Sequence, residues 1–172
     1  NSTVDNAKTT GVADVESVNP QASQKKTDAK NAVDEALKAK EAEIDANNDL
    51  TAEEKSKAKE DAKSKADVAK QAIDNATTND AVTQAKNAGA ISVDSVTPTP
   101  VAKPAAKQAI DDALKAKNDA IDANNDLTDE EKAKAKEDAK AKADAAKQAI
   151  DNATTNDAVE QAKNDGATSI SS

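Results

Sequence analysis

The sequence has no cysteine, histidine, methionine or aromatic residue, and lysine is its only basic residue type. The missing imidazole and thiol groups are the usual general bases, nucleophiles and transition-metal ligands of enzymes. The Asp, Glu, Lys, Ser and Thr residues that remain fall at solvated positions of the predicted helices. We therefore expect a protein that is not an enzyme and that has no catalytic residue, cofactor or bound metal.

Basic residues are fewer than acidic ones: the chain has 24 lysines and 33 acidic residues, which gives a net charge of −9 at pH 7. This charge disfavours nucleic-acid phosphates and anionic membrane surfaces. No apolar run approaches the roughly 20 residues that a membrane-spanning helix needs. We expect no nucleic-acid partner and no membrane insertion. The absence of cysteine is compatible with the cytosol and with an extracellular protein that uses no disulfides.

Glycine and proline are also scarce, with three and four residues respectively. Because 33% of the residues are charged and none is aromatic, a disordered chain of the desiccation-protein type is one alternative. All four prolines, however, fall outside the periodic segments, in the linker or the terminal region. A disordered chain has no reason to place them there, so we expect a folded protein.

What the sequence does contain is one module written twice. Residues 27–90 align with residues 104–167 without a gap, at an offset of 77 residues. About four positions in five are identical in the two copies. An enzyme needs one active site, so near-copies in tandem indicate length or multivalency instead.

The start of the chain resembles the end of a module. Its residues Val4, Ala7, Lys8 and Gly11 have the spacing of Val82, Ala85, Lys86 and Gly89. We therefore divide the chain into the tail of a preceding repeat at residues 1–20, a first repeat with its linker at residues 21–97, and a second repeat at residues 98–172.

Each repeat is predicted to contain three amphipathic helices. In the first repeat they run from about Thr27 to Ala46, from a cap at Thr51 to about Ala76, and from Thr77 or Thr78 to Gly89. The aliphatic core is expected at Leu37, Ile44, Leu50, Ile73 and Val82, with the counterparts Leu114, Ile121, Leu127, Ile150 and Val159. The expected fold is all-α, with tandem antiparallel three-helix bundles joined by Pro-containing extended linkers into an elongated chain.

The linker at residues 91–104 includes Pro98, Pro100 and Pro104, which favour extended backbone. Ile91, Val93 and Val96 are apolar side chains that a solvated connector does not need. Two interpretations remain open at this point. The segment is either a solvated connector or a strand of chain that docks onto a bundle and sets the angle between repeats.

The turn between the first two helices carries alternating oxygen ligands, at Asp45, Asn47, Asp49, Thr51 and Glu53. An EF-hand loop has this alternation, but its sixth position is glycine and its twelfth is glutamate. Here those positions are Leu50 and Ser56. Thr51 can instead cap the next helix, and Glu54 completes a capping box. The sequence therefore predicts a capped turn and no metal site.

The motifs DANNDLTDEEK and IDNATTNDAV, with the lysine- and alanine-rich segments around them, resemble the family called domain of unknown function 1542. The resemblance covers both copies and the leading tail. It implies a tandem array in a cell-wall-anchored surface protein of Gram-positive bacteria, with a stalk role in adhesion or biofilm. The family brings no catalytic residue to this chain.

The functional prediction is therefore a non-catalytic stalk or spacer whose partners are neighbouring repeats of the same chain. One alternative is a module that binds a host protein, although the chain has no aromatic residue to anchor such an interface. Another is homophilic adhesion between arrays on neighbouring cells.

Overall fold

The computed structural model describes the backbone of residues 2–172 and the side chains of residues 3–8 and 23–172. Within this part of the chain the fold is all-α, as predicted, with no strand. The helices are α1 (Ser2–Ala46), α2 (Ala52–Asn75), α3 (Asn79–Asp94), α4 (Ala102–Ala123), α5 (Asp129–Asn152) and α6 (Asn156–Ser171).

The residues form two compact units that do not follow the sequence repeats. The first unit consists of Asn1–Ile44 and Ala58–Thr97, and the second of Asp45–Lys57 and Pro98–Ser172. The α1–α2 turn of the first repeat therefore belongs to the second unit.

In the second unit, α4, α5 and α6 each pack against the other two. Ile110, Ile150 and Ile170 are fully buried between them, together with small side chains. A Cβ atom added to Gly166 would collide with the Cβ of Ala146 and lie 2.9 Å from Cδ1 of Ile110. Glycine at this position therefore lets α6 approach α5 and α4 closely.

In the first unit the same pattern recurs around Gly89, where an added Cβ would collide with Ala69 and contact Val33. One face of α2 is buried, at Ala58, Ala62, Ala66, Ala69 and Ile73. Interhelical ion pairs also repeat: Lys70–Asp34 and Lys30–Asp74 correspond to Lys147–Asp111 and Lys107–Asp151. These pairs are partly exposed, so each contributes little to stability.

The predicted helix ends are only partly right. α1 begins at Ser2 and not at Thr27, whose hydroxyl donates to the carbonyl of Ser23 one turn earlier, as a threonine inside a helix does. α3 passes through Gly89 and continues to Asp94. The prediction that this glycine ends the helix is wrong, because its missing side chain serves helix packing and no described residue has a positive φ.

The longer α3 also changes the linker. Ile91 and Val93 belong to the helix, where Val93 is buried and Ile91 is 70% exposed. Val96 follows the helix and is buried, so the start of the connecting segment packs against the first unit. Pro104 lies in the first turn of α4, where its missing N–H costs no intrahelical hydrogen bond.

Most of the predicted core is buried: Ile44, Leu50, Ile73, Val82, Ile121, Ile150 and Val159. Leu37, Leu114 and Leu127 are half-buried. The predicted tail at residues 1–20 falls largely on side chains outside the described residues. No helix in the described part of the chain is both long enough and apolar enough to cross a membrane.

Candidate functional site in the docked turn

The α1–α2 turn is built by local hydrogen bonds that the sequence predicts. Asn47 Oδ1 accepts from the N–H of Asp49 at 3.0 Å. The N–H of Thr51 donates to Oε2 of Glu54 at 3.0 Å, and the N–H of Glu54 donates to the Thr51 hydroxyl at 3.4 Å. This reciprocal pair is the predicted capping box. Among the described residues, no group of three or more Asp or Glu side chains is arranged to hold a metal ion.

Glu54 also acts outside its own turn, at the start of α4. Its Oε1 accepts from the backbone N–H groups of Val101 and Ala102, both at 2.9 Å. Val101 is the N-cap residue of α4 and makes no side-chain capping bond. The first N–H groups of a helix have no intrahelical acceptor, and the helix dipole favours negative charge there. A carboxylate from the first repeat therefore caps a helix of the second.

These contacts also set the ionisation of Glu54. Burial alone would raise the pKa of its carboxyl group, but the hydrogen bonds from the backbone of Thr51, Ala102 and Val101 outweigh it. The net effect lowers the pKa below its ordinary value. The charged form, which is the better helix cap, is the favoured one.

Glu53 has the corresponding role at α6. Its Oε2 accepts from the N–H of Asn156 at 2.9 Å, and this hydrogen bond is the main cause of its lowered pKa. The Thr51 hydroxyl donates to Oδ1 of Asn156 at 2.7 Å, and the N–H of Ala52 donates to the carbonyl of Thr154 at 2.8 Å. Adjacent glutamates thus cap the first and last helices of the second repeat.

Lys103 holds the opposite side of the contact. Its side chain is 4% exposed, and Nζ donates to the carbonyl of Asn48 at 2.8 Å and to that of Asp151 at 2.6 Å. The first carbonyl lies in the docked turn and the second near the C-terminal end of α5, where the helix dipole favours a cation. Leu50, beside them, is 2% exposed.

We call this set of contacts the joint: the turn Asn48–Glu54, the N-terminal ends of α4 and α6, and Lys103. The joint holds chain segments together, because carboxylates accept hydrogen bonds from helix N-termini and a lysine donates to backbone carbonyls. The sequence predicts the turn and its local caps. It does not identify Glu53, Glu54 and Lys103 as contacts between repeats. The available signal was the absence of a capping side chain ahead of α4.

The family comparison agrees with the repeat seen in the sequence. Residues 25–101 and 102–172 each match the family model described as Domain of Unknown Function (DUF1542). No curated protein and no solved structure matches the chain.

Proposed function

The chain belongs to the family described as Domain of Unknown Function (DUF1542), and from this we propose that its tandem repeats are a non-catalytic spacer. The repeats would be antiparallel three-helix bundles in an elongated array, with Pro-containing connections between them. We further propose that the array is the stalk of a cell-wall-anchored bacterial surface protein that supports adhesion or biofilm. This location comes from the family resemblance of the sequence.

The observation that carries the proposal is the joint. A tether needs no contact between repeats, whereas here Glu53, Glu54 and Lys103 make hydrogen bonds from one repeat to the next. Two of these three side chains reach backbone groups at helix ends that would otherwise need another partner. The folding of one repeat is thus coupled to the repeat before it, as in solenoid and array proteins.

The composition supports the same role. A net charge of −9 makes neighbouring arrays repel each other and keeps a long surface protein extended and dispersed. The joint itself depends on hydrogen bonds and one buried leucine, and not on a large apolar patch that would also attract other proteins.

Small-angle X-ray scattering coupled to size-exclusion chromatography tests the proposal. We expect a monomer with one well-defined maximum dimension. The double variant Glu53→Ala/Glu54→Ala should give a broader distance distribution, because it removes both helix caps of the joint. A flexible two-bead profile for the unmodified chain would contradict the spacer and favour a tether. A dimer would favour homophilic adhesion instead.

A further inference from the structure

The same turn sequence occurs in two different environments. The string DANNDLT occupies residues 45–51 and again residues 122–128, and a pair of glutamates follows two residues later in each copy. In the first copy, Leu50 and Thr51 are 2% and 0% exposed. In the second, Leu127 is half-buried and Thr128 is exposed. The local sequence cannot cause this difference. The difference arises because residues of the second repeat cover the first turn.

The second turn already has the conformation of the docked one. Asn124 Oδ1 accepts from the N–H of Asp126 at 2.9 Å, against 3.0 Å for the equivalent bond in the first turn. The capping box of Thr128 and Glu131 is closed by bonds of 2.9 and 3.2 Å. A turn that is ordered before binding loses little conformational entropy when it docks.

The glutamates of the second turn lack the helix N-termini that their counterparts cap. Within the described part of the chain, Glu131 accepts hydrogen bonds from Thr128 alone, and Glu130 accepts none. Both side chains are exposed. The Glu53 and Glu54 carboxylates, by contrast, bond to the backbone of Asn156, Val101 and Ala102.

We propose that the turn Leu127–Glu131 is a docking element for a further copy of this repeat that follows in the same chain. This inference rests on the proposed spacer function and names the partner of the second turn. Glu131 would cap the first helix of that copy and Glu130 its third. The partner's counterpart of Lys103 would bond to the carbonyl of Asn125, which corresponds to Asn48.

The occupant is a linked copy and not a second molecule of this chain. A partner must present a helix that begins where α4 does, so that its first N–H groups are available. In the first repeat, α1 continues from Ser2 through Gln24 and Lys25, which correspond to Val101 and Ala102. Their N–H groups lie inside a helix, so the first repeat of another molecule does not offer these free donors. Lys26, the counterpart of Lys103, nevertheless makes one of the two equivalent bonds: its Nζ donates to the carbonyl of Asp74 at 2.8 Å.

The test is a three-repeat chain in which residues 96–172 are appended after Ser172. Ser172 corresponds to Ser95, so the addition continues the 77-residue period. Hydrogen exchange of residues 127–131 is compared in the two-repeat and three-repeat chains. We expect protection of these amides to rise by about tenfold or more, toward that of residues 50–54. The matched control carries Lys→Met at the appended counterpart of Lys103, and its gain in protection should be smaller.

Unchanged exchange at residues 127–131, with the appended helices protected, would overturn the inference. Failure of the appended copy to fold would overturn it as well, because the same residues fold in this chain when the first turn covers them. Neither result bears on the scattering of the two-repeat chain, which tests the spacer function separately.

Discussion

Glu54 is the residue at which the joint can be tested most directly, through the isosteric change Glu54→Gln. The glutamate uses one oxygen for Val101 and Ala102 and the other for Thr51. Glutamine has a single acceptor oxygen, so its NH₂ group must face either the α4 N-terminus or the N–H of Thr51. A hydrogen bond to a charged group contributes about 1.5–3 kcal/mol, and the helix dipole adds about 0.3–1 kcal/mol. We expect a loss of about 2–3 kcal/mol in the free energy of unfolding of the second unit.

The chain contains its own control for this change. Glu131→Gln alters the same residue in the same capping box, but Glu131 bonds only to Thr128 within the described residues. Urea unfolding followed by far-ultraviolet circular dichroism measures both variants, and hydrogen exchange at Val101 and Ala102 reports the joint itself. Glu54→Gln should lower the urea midpoint more and should selectively expose those two amides. Equal losses in the two variants would refute the assignment of Glu54 as a cap of α4.

Three further predictions concern packing, ionisation and the buried lysine. Gly166→Ala should destabilise the second unit by about 1–2 kcal/mol in urea unfolding, because the cost of overpacking exceeds the gain in helix propensity. The control Asn164→Ala, at an exposed position of the same helix, should not destabilise it. The pKa of Glu54 is lowered in the folded state, so its stabilisation is present above about pH 4.5 and is lost as the pH falls through the folded pKa. The stability difference between the unmodified chain and Glu54→Gln should therefore shrink between pH 6 and about pH 3. A difference that stays constant over this range would contradict the prediction. Lys103→Met should cost about 1–3 kcal/mol by thermal or urea unfolding, because it leaves two carbonyls without their donor, and the matched Lys26→Met, which removes one bond, should cost less.

The elements that the sequence predicts correctly are those decided within about one helical turn. Thr51 and Thr128 cap their helices with glutamates three residues away, and Thr78 accepts from the N–H of Ala81 at 3.1 Å. Each of these depends on neighbours in sequence, so a reader of the sequence has all the information required.

Gly89 shows where such local interpretation fails. Glycine just past a periodic segment is a common helix end, and the same residue is also what a close helix crossing requires. The two uses cannot be distinguished without knowing what lies opposite. In the structure that neighbour is Ala69, twenty positions earlier in the chain, and the helix continues to Asp94.

The sequence by itself determined that the chain is helical, that its turns are capped and that one repeat is written twice. Only the tertiary structure decided which of two identical turns is buried. Leu50 and Leu127 have the same flanking residues, yet one is 2% exposed and the other half-buried. Burial depends on which distant residues reach a site, and here Val101, Lys103 and Asn156 make hydrogen bonds with the first turn. Local sequence determines the conformation of a turn, whereas the tertiary fold determines which residues contact that turn.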